Sequence, residues 1–580
     1  MSTLLITNGL IYDGLGDKPY PGDILIDGDR IVQITARISA SSEHAIDASS
    51  EHAINASTER VIDVASEHAI DVQADRVIDA KGMAVTPGFI DIHRHCDIKP
   101  LTGERFGDAL LTQGITTTVV GNCGISLLPR RLDPDQARAM YDVYEPVLGP
   151  VSDLLLHNGP ATYEDYLLAL EQSHLPVNFA SMVGTGSVRI AVKGFDASPY
   201  TREEMKAAQK LIESALKAGA AGISTGLMYV PECYSSKEEM VELLAPAGAC
   251  GAALIAHIRG EGDSLVAGVR EIIAIGKEVG CPVEISHFKS CGMKNWRKSI
   301  HEAIAVIAQA RASGQDVTCD FYPYDGGSTA LTTMIPPAYI ETFARGDMKK
   351  AVASLGTAEG DVAFRDYCAR EYADWDNYAI SLGWDRTIVS AVAWPHNQRF
   401  VGKSIQQAAE EFGFADAASC AAWLMHDEEG KTAIISMSMC QDDVDTVAQL
   451  PFSSVISDSI YAKTDSPHPR LYGAFAKIIR DMVLERKLMT LPDAIRKMTD
   501  MPARRLKLAD RGRLAEHCFA DINIFDPAVF RDHATYANPA QRSTGLSYCL
   551  VNGQLALVDG IPSRGSFGTN LRVRHEADRV

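Results

Sequence analysis

Long apolar segments are missing from this sequence. It has no run of about 18 apolar residues, the length that a membrane-spanning helix requires. Residues 1–6 also lack the basic start and the long apolar stretch of a secretory signal. We therefore expect a protein of the cytoplasm that has no membrane partner.

The sequence has fewer basic than acidic residues. The chain has 55 lysine and arginine residues against 75 aspartate and glutamate residues, which gives a formal net charge of −20. A surface of this average sign repels nucleic acid and anionic lipid. We expect neither of them as a partner.

Paired cysteines are also missing. The twelve cysteines are scattered over 580 residues without the regular spacing of a disulfide framework. Most of them are expected to be small buried thiols. Cys123 is different, because the segment Gly121-Asn122-Cys123-Gly124 directly follows an apolar, strand-like run.

What the chain does contain is a long alternation of strand and helix patterns. Apolar runs such as 116–120 and 283–286 alternate with helical periodicity, as at 202–218 and 265–278. Repeated β-then-α units predict parallel strands and, at this number, a closed barrel. The fold class is therefore predicted as α/β, with a TIM-like (β/α)8 barrel over residues 87–500.

The two ends of the chain have a different pattern. Short strands with Asn-Gly and Asp-Gly turns occur at 4–12 and 23–32, and similar strands occur at 520–526 and 547–557. We expect residues 1–86 and 501–580 to form one β-sandwich domain. A stretch at about 336–401 is too long for a simple barrel connection and is predicted to be an inserted subdomain.

Residues 43–82 contain five copies of an eight-residue unit, such as Glu43-His44-Ala45-Ile46-Asp47. One copy is too short to fold alone, so the copies either stack as short strands or form a loop, which we favour for the first copies. His44, His52 and His68 recur in this segment. We interpret them as copies of one surface residue rather than as metal ligands.

Residues suited to metal binding occur at or just past the ends of the predicted barrel strands. His93 and His95 are two positions apart, so their side chains project to the same face of a strand, which in a barrel is the interior. Zn²⁺ prefers thiolate, imidazole and carboxylate ligands, and a catalytic zinc site needs three of them with one position open. Cys123, His257 and His287 supply such a set.

The segment Pro87-Gly88-Phe89-Ile90-Asp91 before His93 resembles the first-strand motif of the amidohydrolase superfamily. Since Cys123 follows the second strand, where many members carry a carbamylated lysine, the chain resembles the branch of N-acyl-D-amino-acid deacylases, or D-aminoacylases. The resemblance covers nearly the whole chain outside the repeats. Its other motifs are Gly222-Ile223-Ser224-Thr225-Gly226-Leu227, His257-Ile258-Arg259, Ile285-Ser286-His287-Phe288-Lys289, Tyr322-Pro323-Tyr324, Ser457-Asp458-Ser459 and His468-Pro469-Arg470-Leu471-Tyr472-Gly473.

The resemblance implies a role for each candidate residue. Cys123, His257 and His287 would hold one zinc ion tightly, and His93, His95 and Asp458 would form a second, weaker position. Asp458 would also be the catalytic residue, first as general base and then as general acid. Lys289, Tyr322 and Arg470 would bind the α-carboxylate of an N-acyl amino acid, for which the forked guanidinium of arginine is well suited.

The expected reaction is zinc-dependent hydrolysis of the amide bond of an N-acyl-D-amino acid, and the D preference comes from the resemblance alone. Residues 325–334 contain no arginine that could hold a second carboxylate, which favours a neutral or apolar side chain. One alternative is a cyclic-amide hydrolase related to hydantoinase and dihydropyrimidinase, which Cys123 and the Arg470 motif disfavour. Another is a non-catalytic scaffold of the same fold, which the full set of ligands disfavours.

Overall fold

Eight parallel strands form the centre of the structure, a computed structural model that describes residues 3–35, 59–62, 71–373 and 375–575. In chain order these strands are β1 (Phe89–Asp91), β2 (Ile115–Val120), β3 (Asn178–Ser181), β4 (Ile223–Gly226), β5 (Leu254–His257), β6 (Val283–Ile285), β7 (Val317–Phe321) and β8 (Ser453–Val455). Each strand pairs in parallel with the next; β3 does so with β4 through its continuation Val183–Gly184. A parallel bridge between Arg94 and Ser459 joins the ends of β1 and β8. The predicted closed barrel is therefore confirmed.

The helices between the strands have the expected amphipathic pattern. Helix Arg202–Ala218 begins with a capping box between Thr201 and Glu204 and ends at Gly219, whose φ of 111° suits glycine. The second helix predicted from periodicity is Leu265–Val279. The main helices of the barrel region are Pro134–Leu148, Asp153–Asn158, Tyr163–Glu171, Thr185–Lys193, Arg202–Ala218, Lys237–Leu243, Ala245–Cys250, Leu265–Val279, Ser299–Ala312, Gln441–Ala448, Arg470–Lys477, Leu491–Met498 and Asp500–Arg505.

Both ends of the chain contribute to one nine-stranded sheet, here called the terminal sheet. Its strands, in spatial order, are Ile561–Pro562, Gln554–Val558, Leu546–Val551, Ile522–Phe525, Ala84–Pro87, Thr3–Ile11, Tyr20–Asp27 and Arg30–Thr35, with Arg76–Asp79 also paired to Thr3–Ile11. Alternating isoleucines, leucines and valines of these strands bury one another in a core distinct from that of the barrel. We propose that this sheet belongs to the β-sandwich domain expected from residues 1–86 and 501–580.

A second set of antiparallel strands lies between β7 and β8. Gly327–Ala330, Ala433–Ser436 and Thr387–Ala391 form a three-stranded sheet, and the helices that accompany it are Pro337–Ala344, Met348–Ser354, Ala358–Cys368, Tyr378–Ser381, Ile405–Phe412 and Ala417–Asp427. These elements extend beyond the expected range of 336–401 on both sides. We therefore propose 327–436 as the bounds of this segment, which we call the insertion.

Only part of the repeat region belongs to the described residues. Strand Glu59–Ile62 pairs with Asp71–Ala74 in antiparallel fashion, and the last copy supplies Arg76–Asp79 to the terminal sheet. The first two copies lie outside the described residues, as do His44, His52 and His68. Among the helices of the described residues, none has both the length and the apolar character needed to cross a bilayer.

Candidate metal centre

The residues predicted as metal ligands lie together at one end of the barrel. His93 and His95 follow β1, Cys123 follows β2, and His257 is the last residue of β5. His287 and Asp458 follow β6 and β8. All six side chains are buried. Carboxyl ends of parallel barrel strands converge, which explains how residues separated by up to several hundred positions meet at one place.

Three of these residues have a left-handed backbone. The φ angles are 55° at Cys123, 35° at His287 and 49° at Asp458. For residues other than glycine such a conformation costs on the order of 1–3 kcal/mol and persists only where the surroundings enforce it. Its occurrence at three strand ends that share one site indicates that the fold sustains this strain to direct the three side chains.

The potential ligand atoms form overlapping groups. Two of these groups, each with its ligand atoms within 4.8 Å of one another, are His93 with Cys123 and His287, and His93 with His95 and Asp458. The Sγ atom of Cys123 is 3.2 Å from Nε2 of His93 and 3.5 Å from Nε2 of His287. Oδ1 of Asp458 is 3.5 Å from Nε2 of both His93 and His95. His93 therefore links the two groups.

Within the set predicted for the tight site, His287 contacts both of the other members. Nε2 of His287 is approached by Sγ of Cys123 at 3.5 Å and by Nδ1 of His257 at 3.0 Å. His257 therefore reaches the centre through its contact with His287. A third group of possible ligands, His257 with Glu261 and His287, was not predicted from sequence.

The protonation states suit a metal site. Burial lowers the pKa of His93 to about 4 and lowers the pKa values of His257 and His287 well below their usual value. These imidazoles are therefore neutral at pH 7, each with a lone pair available. Burial raises the pKa of the Cys123 thiol well above its usual value, and the charge of Asp458 adds to this effect. A metal cation reverses that preference, because a coordinating thiol loses its proton.

At Asp458, neighbouring groups favour the charged form more strongly than burial opposes it. Burial opposes its ionisation, but the guanidinium of Arg470 and the ring of His95 hold its pKa well below the usual range. Nη1 of Arg470 donates to Oδ2 at 2.7 Å. Asp458 is therefore an ionised carboxylate at neutral pH. Thiol, imidazole and carboxylate groups are thus buried in contact with one another. These are the ligand types that zinc prefers, so the residues present fit a zinc ion.

Two further carboxyl groups contact the candidate ligands. Asp320, at the end of β7, accepts a hydrogen bond from the backbone N–H of His287, and its Oδ2 is 3.9 Å from Nδ1 of His93. Glu261 lies 2.9 Å from Nδ1 of His287. Sequence reasoning missed both residues. For Asp320 a signal was present, namely an aspartate near the end of an apolar strand; for Glu261 the signal was its spacing of four residues after His257.

The predicted substrate-binding residues lie beside this centre. The hydroxyl group of Tyr322 is buried and has no hydrogen-bond partner in the structure. Nζ of Lys289 donates to Oε1 of Glu261 at 2.6 Å. The guanidinium of Arg470 lies 4.7 Å from the Tyr322 ring centroid, and its Nε has no partner. These three side chains therefore present hydrogen-bond donors near the candidate metal ligands.

A cavity beside the centre contains His95, Cys123, Lys289, Tyr322 and Asp458 in its wall. Its wall also has apolar members, namely Ile125, Val147, Met228, Met334, Ile434 and Ile460, among serine, threonine and tyrosine residues. A neighbouring cavity shares the wall residues Ile125, Val147 and Met228 and is further lined by Val143, Tyr144, Ile335, Ile340 and Trp375. The centre therefore has an apolar extension that reaches the insertion.

Comparison with known proteins gave consistent matches. The amidohydrolase family model matches residues 76–556. N-acyl-D-glutamate deacylase of Alcaligenes xylosoxydans xylosoxydans is 33% identical over 97% of this chain and 94% of its own length. D-aminoacylase of the same organism is 32% identical over 95% of this chain and 93% of its own length. The crystal structure of N-acyl-D-glutamate deacylase from Bordetella bronchiseptica, complexed with zinc and a phosphonate that mimics the tetrahedral intermediate, is 29% identical with a TM-score of 0.75, covering 98% of this chain and 99% of that one.

Proposed function

Because the chain belongs to the amidohydrolase family, we propose that it is a zinc-dependent hydrolase that cleaves N-acyl-D-amino acids into a carboxylate and a free D-amino acid. The observation that carries this proposal is the cluster of buried thiol, imidazole and carboxylate groups at the strand ends of the barrel. The deacylases described above resemble the chain over nearly its whole length, which supports this substrate class.

The candidate ligands divide into two sets. Cys123, His257 and His287 would hold the tightly bound zinc ion. His93, His95 and Asp458 would form a second, weaker position, and the contact between His93 and Cys123 would join the two. When bound, zinc makes a water molecule acidic enough to attack at neutral pH and polarises the amide carbonyl.

Asp458 performs the proton transfers. It is ionised before reaction, so it accepts the proton of the attacking water. It then donates this proton to the departing nitrogen, because an amide leaves poorly as an anion. Arg470 donates to the second carboxylate oxygen at 2.7 Å and fixes the orientation of Asp458. The residues next to the reacting atoms are buried, which strengthens these electrostatic interactions.

The α-carboxylate of the substrate would bind to Lys289, Tyr322 and Arg470. The unpartnered hydroxyl of Tyr322 and the unpartnered Nε of Arg470 are buried donors that an anionic ligand would satisfy. Lys289, which is paired with Glu261, would add a positive charge near the substrate carboxylate. Together they explain why the substrate would need a free carboxylate.

The side chain of the amino acid would be neutral or apolar. The extension of the cavity is lined mainly by residues such as Val143, Met228 and Trp375. Among the wall residues of the two cavities, the one cation is Lys289, which already contacts a carboxylate. A second carboxylate on the substrate would therefore be buried without a cation to pair with.

We place the protein in the cytoplasm, since all twelve cysteines are free thiols. Its partners are then small N-acyl amino acids rather than nucleic acid or membrane. The non-catalytic alternative is disfavoured, because each predicted ligand takes part in a contact at the centre.

The test measures release of free amino acid from N-acetyl-D-methionine and N-acetyl-L-methionine by zinc-loaded protein, with a chelator-treated sample as control. We expect cleavage of the D form alone, abolished by the chelator. N-acetyl-D-glutamate tests the side-chain preference and should be cleaved more slowly. A hydantoin and dihydrouracil test the cyclic-amide alternative. Hydrolysis of the cyclic amides without cleavage of either N-acetyl methionine would reject the proposal.

A further inference from the structure

Glu261 is a buried carboxylate at the metal centre to which the proposed reaction assigns no role. It lies four residues after the end of β5, in the loop before helix Leu265–Val279, and is only 4% exposed. Its Oε1 is 2.9 Å from Nδ1 of His287 and 2.6 Å from Nζ of Lys289. Its Oε2 is 4.0 Å from Nε2 of His257. One carboxylate thus contacts two candidate ligands and one candidate substrate-binding residue.

The contact with His287 has a defined chemical consequence. Nε2 of His287 faces Cys123 and His257, whereas Nδ1 faces Glu261. For Nε2 to offer its lone pair to a metal, Nδ1 must carry the proton, and of the two groups beside Nδ1 only the carboxylate of Glu261, 2.9 Å away, can accept a hydrogen bond from it. Such a partner increases the basicity of the ligand and thereby its affinity for a metal.

Lys289 cannot take the place of Glu261 in this contact. Its Nζ is 2.7 Å from the same Nδ1 atom, but an ammonium group only donates hydrogen bonds and would need the lone pair there. With the proton on Nδ1, Lys289 is instead held by Oε1 of Glu261 and by the carbonyl oxygen of His287 at 3.0 Å. Glu261 therefore determines both the tautomer of His287 and the position of the lysine.

The backbone of Glu261 is held from the insertion. Oδ2 of Asp376 accepts hydrogen bonds from the N–H groups of Glu261 at 2.7 Å and Gly262 at 2.6 Å. Its Oδ1 accepts two more from the N–H and the hydroxyl of Ser264, both at 2.9 Å. Asp376 is itself buried. The loop that carries Glu261 is consequently fixed to a segment outside the barrel.

We propose that Glu261 is a positioning residue that directs Nε2 of His287 to the metal and holds Nζ of Lys289 for the substrate carboxylate, while Asp376 fixes its backbone. The part that concerns Lys289 rests on the proposed function. The part that concerns His287 depends only on metal binding, and the two are measured separately.

The first experiment measures zinc affinity without substrate, by competition with a chromophoric chelator. We expect Glu261→Gln, which preserves size and removes charge, to weaken zinc binding about 10- to 100-fold. Glu261→Asp should recover part of this loss, because it retains a carboxylate. The matched control is Glu271→Gln. Glu271 also pairs with a cation, Arg259, at 2.9 Å, but it contacts none of the candidate ligands, so zinc affinity should stay at the wild-type value.

The second experiment measures kcat and KM on N-acetyl-D-methionine at saturating zinc. Glu261→Gln should raise KM more than it lowers kcat, since the metal is then bound and the position of Lys289 is what has changed. If Glu261→Gln folds poorly, Asp376→Asn gives a milder test, because it leaves Glu261 present but loosens its backbone; we expect a higher KM here too.

Two results would overturn the proposal. One is wild-type zinc affinity and KM in a folded Glu261→Gln protein. The other is an equal loss of zinc affinity in Glu261→Gln and Glu271→Gln, which would indicate a purely structural role. Failure of the wild-type protein to cleave any N-acyl-D-amino acid would reject the proposed function, but the effect of Glu261 on zinc affinity would still be measurable.

Discussion

At the scale of single residues, removal of the Tyr322 hydroxyl should weaken substrate binding without lowering the stability of the protein. This hydroxyl is buried without a hydrogen-bond partner, so its removal in Tyr322→Phe deletes no contact of the free protein. We expect unchanged or slightly higher thermal stability. If the hydroxyl binds the substrate carboxylate, the lost charge-assisted bond is worth about 1.5–3 kcal/mol, so KM should rise about 10- to 100-fold.

The two readouts of Tyr322→Phe are a thermal melt and steady-state kinetics on N-acetyl-D-methionine. Tyr324→Phe is the matched control, because that hydroxyl contacts the carbonyl of Pro469, at 3.5 Å, and not a candidate substrate-binding group. A KM unchanged in Tyr322→Phe would remove this residue from the proposed carboxylate site.

Asp458 gives a second prediction at this scale. Asp458→Asn should keep the local backbone, because asparagine tolerates the φ of 49° at this position. The loss of the buried ion pair with Arg470 should lower its stability, so kinetics are measured on protein shown by a thermal melt to be folded. The substitution removes the proton acceptor, so kcat should fall about 10²- to 10⁴-fold. Asp458→Ala should also abolish turnover. Substrate binding should be largely retained in both, as measured by the Kd of an unreacted substrate. Loss of binding in parallel with turnover would contradict the assigned role.

The candidate ligands at the centre could be predicted from sequence. The backbone conformations and neighbouring residues that orient them could not. His93, His95 and Cys123 were found because they directly follow apolar runs in a recognisable order. The left-handed backbones at Cys123 and His287, by contrast, are imposed by neighbouring strands. Glu261 and Asp320 were missed for the same reason: their importance lies in contacts with residues 26 and 33 positions away along the chain, as between Glu261 and His287 and between Asp320 and His287.

At the scale of elements, Asp521 connects the terminal sheet to the barrel. It accepts hydrogen bonds from Asn178, the first residue of β3, and from the backbone of Asn552, and it forms a buried ion pair with Arg511. These contacts lie at the amino-terminal ends of the strands, away from the metal ligands. The residue therefore stabilises the junction of two units without touching the site.

Asp521→Asn should destabilise the protein by about 3–5 kcal/mol, because it leaves the charge of Arg511 buried and unpaired. Denaturant unfolding measures this change, and kcat of the folded protein should be unaffected. The control is Asp510→Asn, which disrupts the partly exposed pair between Arg30 and Asp510, at 3.3 Å, and should change stability little. Equal effects of the two substitutions would indicate that Asp521 does not join the units.

Elements with strong periodicity were predictable, whereas those that depend on distant partners were not. Helix Arg202–Ala218 has both its cap and its apolar face encoded locally, and the prediction matched its bounds. Strand Gly327–Ala330 has the sequence Gly-Ser-Thr-Ala, which has little strand propensity. It forms a strand because Ala433–Ser436, about a hundred residues later, pairs with it. The bounds that we propose for the insertion, 327–436, are for this reason wider than the range of about 336–401 expected from sequence.

At the scale of the whole molecule, the candidate metal ligands come from both ends of the barrel sequence. Closure of the barrel pairs the end of β1 with the end of β8, where the N–H of Asp458 donates to the carbonyl of His93 at 2.8 Å. The candidate ligands follow or end β1, β2, β5, β6 and β8. A bound metal would therefore connect strands that are distant in sequence, and the complete set of ligands exists only in the closed barrel. Metal affinity is then also folding free energy.

This coupling predicts that zinc raises the melting temperature of the chelator-treated protein. A ligand present at 100 times its Kd contributes about 2.7 kcal/mol, which for a chain of 580 residues corresponds to about 2 °C. Cys123→Ser should remove most of this increase, because it deletes the thiolate of the set proposed to hold the tightly bound zinc ion. Cys233→Ser should retain it, since Cys233 takes no part in the centre. An equal zinc-dependent increase in all three proteins would mean that zinc binds elsewhere, and the assignment of Cys123 as a ligand would be rejected.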